Sequence, residues 1–374
     1  MNSYRPLPGN KLFDAVRDQD CIVMAANVRI IPGIAKGIMR AAKDLQSPII
    51  FELAKSESDL KGGYTGLTPS EFSRRINEIA EEVEYDKWVL HADHLTIKKG
   101  TDEEIADTKK LIQAQIDNGY TSFAIDPSHL YQVGKGDLRE ELARNIDVTI
   151  ELARFIEDGM KGNPYGLEVE VGEIGRTDEH GNVITTPEEA TTFIGALHEN
   201  GIKPDVLAIA NGSVHGLSYD EKGNIIEQVS IDIPRTRAIV QALKDEGFSV
   251  RIAQHGITGT PRELIAQVFP RGDIIKGNVG TFWMNLAWEV LQLYEPQLYQ
   301  DIWNWTLETY SPQNPGKSDK EIFGKNSKLA IKEFFDQIYS VGESTVNALE
   351  ARGYAEALMF FQAFGSPGKS QLIT

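Results

Sequence analysis

The feature that most constrains this chain is an alternation that continues almost to residue 300. Short apolar runs trade places with amphipathic stretches of helical period. The strand-like runs are Cys21–Ala26, Pro48–Leu53, Lys87–His91, Ser122–Asp126, Gly166–Val171, Asp205–Ala210, Ser249–Gln254 and Asp273–Lys276. Between them the apolar spacing predicts helices over Ile31–Leu45, Pro69–Glu84, Thr101–Asn118, Leu138–Gly159, Pro187–Asn200, Ile233–Glu246 and Pro261–Phe269. Local signals agree. Thr68 is an N-cap with Pro69 at the first helical position and Glu71 three residues after the cap, and Asn118-Gly119 is a helix stop. Eight strands with intervening helices predict an α/β fold, a closed (β/α)8 TIM barrel. An open doubly wound sheet is the rival, but no GxGxxG follows the first strand.

Two segments break the repeat. Val171–Pro187 is too long and polar for a plain strand-to-helix link and reads as an active-site loop. Beyond Thr281 the chain turns helical and aromatic. We therefore divide it into a barrel catalytic domain, residues 1–297, and a helical C-terminal extension, residues 298–374, packed on the barrel or at a subunit interface. The tryptophans there (Trp283, Trp288, Trp303, Trp305) read as packing residues. A net charge of −17 argues against a nucleic-acid surface, and no apolar run is long enough to span a membrane. The single cysteine, Cys21, and the absence of a signal-like N-terminus point to a reducing cytoplasm. An acidic protein that binds a phosphate ester must do so through backbone N–H groups or local positive charge.

In a barrel, functional groups gather where strands end. Here the third strand runs into His91-Ala92-Asp93-His94, the fourth into Asp126-Pro127-Ser128-His129, and the fifth carries Glu168-Val169-Glu170. The sixth leads to His215-Gly216, the seventh to His255-Gly256-Ile257-Thr258, and the eighth to Lys276-Gly277-Asn278-Val279-Gly280-Thr281. Ionisable groups beside buried strands are costly unless they bind a metal or one another. Histidines His94, His215 and His255 at three strand ends make a borderline-soft set suited to Zn²⁺ with one open position. His91 reads as a supporting residue, His180 and His198 as exposed, and Cys21 as inert.

These motifs, in this order, resemble the class II, zinc-dependent fructose-bisphosphate aldolases and the related tagatose-bisphosphate aldolases. HADH is similar to the family's HxDH, AIDPSH to MIDxS, LEVEVGEIG to ExELGxxG, LAIANGSVHG to LAxAIGxxHG, IAQHGITG to LxLHGxS, and KGNVGT to KxNxxT. The resemblance implies zinc on His94, His215 and His255, with Asp126 and Glu170 serving a second or alternative metal position. It implies Asp93 as the acid/base on the hydroxyl of the bond that breaks. It also implies that Asn27, Gly216, Gly256, Ile257, Thr258, Asn278, Val279, Gly280 and Thr281 cradle a ketose phosphate, largely through backbone N–H and hydroxyl donors. A second divalent or a monovalent cation and a homo-oligomer, a dimer or larger, belong to the same implication. Zinc as a Lewis acid does what a Schiff-base lysine does in class I enzymes. Lys55, Lys98, Lys99 and Lys276 lie near strand ends without an evident buried apolar setting, which favours the metal.

The chain departs from the family on the aldehyde side. The loop carboxylate that moves the carbon proton falls on Asp178, with Glu179 and Glu173 as alternatives, and Arg176 stands where a glycine is usual. The arginine expected in the tail for a second phosphate is absent, leaving Lys55, Arg29 or Arg176 as substitutes. The expected activity is reversible cleavage of a ketose (bis)phosphate, with fructose 1,6-bisphosphate leading and tagatose bisphosphate or another ketose 1-phosphate following. The rivals are a barrel metallohydrolase, for which the HxH after the first strand is missing, and a non-catalytic metal-binding protein.

Overall fold

The computed structural model describes residues 4–132, 134, 137–172, 177–178, 181–214, 216–220 and 224–374. Eight strands form one closed parallel barrel: β1 Val23–Asn27, β2 Ile49–Ala54, β3 Trp88–Thr96, β4 Ser122–Asp126, β5 Gly166–Glu170, β6 Val206–Ala208, β7 Arg251–Gln254 and β8 Ile274–Val279. Each pairs with its neighbours in sequence, and β8 closes on β1 through Val23 beside Lys276 and Ala25 beside Asn278. All eight expected strands are present. The third and the last differ most at their ends: β3 continues through Thr96, so Asp93 and His94 lie on the strand, and β8 continues through Val279, so Gly277, Asn278 and Val279 lie on the strand rather than in the loop after it.

Alternation sorts the side chains. On β3, Trp88, Leu90 and Ala92 join the apolar layer under the helices, while Val89 joins a separate interior core. That interior is apolar only at one end. Val23, Ile50, Val89, Val206 and Ala253 pack there with Leu12, Phe13 and Val16 of a short helix, α1, Gly9–Val16. Leu7 donates to the Trp88 carbonyl at 2.7 Å and Gly9 to that of Thr121 at 3.0 Å, so this segment lies across the strand N-termini as a plug. Ionisable interior positions begin above it.

The outer helices start as their sequence demands. Thr68 and Thr101 accept from the backbone N–H of Glu71 and Glu104, and Thr186 closes a full capping box with Glu189 that ends the long loop after β5. The C-terminal region is helical, and its longest helix, Glu343–Phe364, lies along the Ile34–Leu45 helix. Its end is tied to the barrel where Ile22 donates to the Phe364 carbonyl at 2.9 Å. Trp283 and Trp288 are buried, and Trp303 stacks on Phe323 with centroids 4.6 Å apart. Among the described residues no helix is long and apolar enough to cross a membrane.

Candidate metal centre and substrate cavity

The site is assembled by a fault in a strand. Successive residues of a strand point to opposite faces, so Asp93 and His94 could not share one without a break. The β3–β4 register shifts between Ala92 and Leu95, and His94 takes φ +39°, a conformation rarely held by a residue with a side chain. The bulge turns both side chains into the barrel mouth, where both line a cavity of about 620 Å³. Asp93, His94 and His255 bring their ligand atoms within 4.8 Å of one another, and so do His94, Asp126 and Glu170. The rings of His94 and His255 have centroids 4.3 Å apart.

Each group is held from outside. His94 Nδ1 lies 3.2 Å from both Asp126 and Glu170, and Asp126 also accepts from Thr96 at 2.9 Å and Ser128 at 2.6 Å. Glu168 Oε1 holds His255 Nε2 at 2.8 Å, fixing the ring as metal-bound imidazoles commonly are. Asp93 accepts from the side-chain amides of Asn27 at 2.9 Å and Asn278 at 3.3 Å. Burial pushes its carboxyl up, but His94, Lys276 and His255 together override this and hold it down at about 2. Burial lowers His94, and the Asp93 and Glu170 carboxylates more than reverse it, leaving the ring well above its usual range. Burial and then the Asp126 charge push Glu170 up to about 8. The electrostatics therefore favour positive charge beside His94. Two imidazoles with three carboxylates fit a divalent cation.

Below this layer lies a network the motifs did not announce. Lys276, on β8, is fully buried, 2.6 Å from Glu168 and 3.0 Å from Glu52. His91 reaches the same lysine at 3.3 Å and shares a 2.7 Å hydrogen bond with Ser122. Lys276 is thus buried, but not in the apolar setting whose absence the sequence indicated. The setting is charged rather than apolar. Burial would lower the ammonium, but Glu168 and Glu52 raise it, the opposite of what a Schiff-base lysine needs. Glu52, Glu168 and Lys276 were missed as structural parts of the site. The available signal was an ionisable residue at inward parity two positions before a strand end, and Glu52 in the apolar run IIFELA shows it.

Much of the expected phosphate cradle lines the cavity. Gly216, Gly256, Thr258, Asn278, Gly280 and Thr281 all line it. Gly256 has φ +69°, and a Cβ there would sit 2.6 Å from the Val214 carbonyl oxygen, so only glycine fits. Gln228 ties the two flanking loops, accepting from Val214 N and donating to the Gly256 carbonyl. Ile257 and Val279 turn their side chains into the apolar core, which leaves them only their backbone to offer. The Lys55 ammonium donates to the Thr96 carbonyl and Thr108 Oγ1, both at 2.8 Å, and Lys55 is not among the described residues that line the cavity. Arg29 does line the cavity. His198, expected exposed, packs edge-on against Phe248 at 4.6 Å. Cys21 is buried, which pushes its thiol up to about 11. His215, Glu173, Arg176, Glu179 and His180 lie outside the described residues, and Asp178 is described only as backbone, paired with Gly181 in a short hairpin.

A closed parallel barrel with a histidine–carboxylate centre at the C-terminal ends of its strands defines a barrel protein with a donor set that could hold a cation. Known proteins narrow the class. The family described as Fructose-bisphosphate aldolase class-II matches residues 8–345, and the chain belongs to that family. A curated fructose-bisphosphate aldolase from Giardia intestinalis is 23% identical over 249 residues, 66% of this chain and 63% of that protein. The matched stretch thus spans less than two thirds of that relative. Among solved structures, the fructose-bisphosphate aldolase of Campylobacter jejuni superposes with TM-score 0.62 at 17% identity, covering 98% of this chain and 96% of its own. The YdjI aldolase of Escherichia coli K12 gives 0.58 at 18%, covering 98% and 99%. At these identities the structural likeness speaks for the fold.

Proposed function

We propose that the chain is a metal-dependent aldolase that reversibly cleaves a ketose phosphate to dihydroxyacetone phosphate and an aldehyde. The observation that carries this is the β3 bulge, which sets Asp93 beside His94 and His255 at the cavity floor. His94, His255 and His215 would hold zinc, with Asp126 and Glu170 serving a second cation position. A bound ion supplies Lewis-acid polarisation of the substrate carbonyl. Asp93 takes the proton from the hydroxyl next to the breaking bond and returns it in the reverse direction. Asn27 and Asn278 aim its two oxygens, and Lys276 beneath keeps it ionised. Thr258, Thr281 and the backbone around Gly216, Gly256 and Gly280 orient the ketose phosphate. Asp178 is the proposed loop carboxylate for the carbon proton.

Fructose 1,6-bisphosphate is the leading substrate, and tagatose bisphosphate or another ketose 1-phosphate is the alternative. We place the enzyme in the cytoplasm as a homo-oligomer acting on a small molecule. The test is release of dihydroxyacetone phosphate from a panel of ketose phosphates, with metal content measured alongside. Asp93→Ala is expected to keep its metal and lose ~10²–10⁴-fold in turnover. His255→Ala is expected to lose metal. Unchanged turnover in Asp93→Ala sinks the mechanism, and a metal-replete wild type that cleaves no ketose phosphate sinks the activity.

A further inference from the structure

Beneath the metal centre lies a third group of donors, and it already holds a cation. Glu52, His91 and Asp93 are buried and bring their ligand atoms within 4.8 Å of one another. The Lys276 ammonium stands among them, 3.0 Å from Glu52 Oε2, 3.3 Å from His91 Nε2 and 3.9 Å from Asp93 Oδ1. The lysine fills the place an ion would need, so this group serves the site above it rather than binding a metal of its own. Glu168 shows how: one oxygen is 2.6 Å from the same ammonium, and the other holds His255 at 2.8 Å.

Glu52 is the counterpart on the other side. Ile50 packs in the interior core, and Glu52, two residues on along β2, points the same way. Its Oε2 faces Lys276, while Oε1 accepts from Asn278 Nδ2 at 2.6 Å. The same Nδ2 donates to Asp93 Oδ1 at the longer distance of 3.3 Å. Asn278 Oδ1 has no hydrogen-bond partner among the described residues, so these two acceptors set the amide's orientation. Flipped, the amide would turn its oxygen on two carboxylates. The contact lengths rank them: Glu52 holds the amide, and the amide in turn holds Asp93. Asp93 needs this support, because it lies where β3 loses its register with β4 and a bulge breaks the ladder on that flank. Asn27 secures only its other oxygen, at 2.9 Å.

We propose that Glu52 is a positioning residue for proton transfer. It fixes the Asn278 amide, the amide fixes the Asp93 carboxylate, and Lys276 ties this chain of contacts through Glu168 to His255. The acid/base and a metal-type histidine thus hang from one buried ammonium. Glu52 is fully buried and is not among the residues that line the cavity, so its effect runs through Asp93. The proposal rests on the aldolase reading for the task of Asp93.

The test compares zinc-loaded wild type with Glu52→Asp and Glu52→Leu. Glu52→Asp keeps the charge beside Lys276 but, one methylene shorter, loses its reach to Asn278; Glu52→Leu loses both. Misplacing a reacting group by ~1 Å costs ~10²-fold. Both variants are therefore expected to lower kcat for ketose phosphate cleavage ~10- to 100-fold, with KM within about threefold and zinc content unchanged. Exchange of the carbon-bound protons of dihydroxyacetone phosphate with solvent calls on the loop carboxylate and not on Asp93, and is expected to stay within about threefold of wild type. In an Asp93→Ala background, Glu52→Asp is expected to change residual cleavage less than about twofold, because its target is gone. A crystal structure of Glu52→Asp is expected to show the Asp93 carboxylate turned from its wild-type direction with His255 in place. Should Glu52→Leu fold poorly, Glu52→Asp carries the test. A loss in Glu52→Leu but not in Glu52→Asp overturns the positioning role, since charge balance for Lys276 then accounts for Glu52. So does a parallel fall in cleavage and exchange, or an unmoved Asp93. A wild type that cleaves no ketose phosphate, with Asp93 turned in the variant, upholds the positioning and removes the aldolase reading.

Discussion

Lys276 shows at the level of single residues what a motif conceals. As the start of KGNVGT it reads as a strand-end residue near substrate, yet it is the cation under the site, clamped by Glu52, Glu168 and His91. Lys276→Met keeps the side-chain length and removes the charge, stranding two buried carboxylates. The expected cost is ~3–5 kcal/mol in denaturant unfolding, as for breaking a buried ion pair from one side. Adding Glu168→Gln is expected to recover part of it, because one stranded charge is then gone. Borohydride added with dihydroxyacetone phosphate is expected to leave Lys276 unmodified by peptide mass analysis, since a lysine held protonated does not form a Schiff base. Asp93, His94 and His255 were legible because their types and order sit at strand ends. The network beneath was not. Parity places Glu168 inward, but only the assembled barrel brings β2, β3, β5 and β8 to one point.

The eight barrel strands and the helices between them were readable, because apolar period and capping residues are local properties, whereas the plugging helix Gly9–Val16 and the short hairpin pairing Thr177 with Asn182 were not. What also escaped was where regularity fails. Nothing local in HADH announces the register shift at Ala92–Leu95, and the continuation of β8 to Val279 depends on pairing with β1, which the sequence does not display. The contact of the Glu343–Phe364 helix with the Ile34–Leu45 helix is similarly nonlocal. It relies on small residues: a Cβ on Gly37 would lie 2.3 Å from the Glu350 carbonyl oxygen and 2.7 Å from Tyr354 N. Helix propensity alone favours Gly37→Ala by ~1 kcal/mol. The clash is with backbone, which no rotamer change relieves, so overpacking of ~1–3 kcal/mol is expected to win and lower the melting temperature. Gly195, inside the Pro187–Glu199 helix, is the control: a Cβ there meets only Phe248 Cζ at 3.7 Å. Gly195→Ala is expected to be neutral or mildly stabilising. Equal destabilisation by both would rule out the close helix contact as the cause.

For the whole molecule, the barrel divides its charge by depth: ion pairs and metal-type donors near the mouth, an apolar plug at the opposite end, and Asp205 on the rim below. Asp205 precedes β6, and its side chain is 12% exposed. It accepts from Leu167 N at 2.9 Å, and Arg17 stands at 3.4 Å. Burial outweighs both partners and pushes the carboxyl up from 3.8 to about 6. The sign follows from linkage. Between these values the folded chain holds a proton that the unfolded chain has released. The contribution to stability is therefore fully present below pH ~4 and is lost as pH rises through ~6. A shift of this size corresponds to about 3 kcal/mol at most. Asp205→Asn keeps an oxygen for Leu167 N and removes the titration. Urea unfolding of wild type and variant between pH 4 and 7 isolates the effect from the many other carboxylates, because only Asp205 differs. The stability of wild type relative to Asp205→Asn is expected to fall across pH 4 to 6 and level off above it. A difference that instead grows with pH would show that the Arg17 contact, not burial, governs this carboxylate.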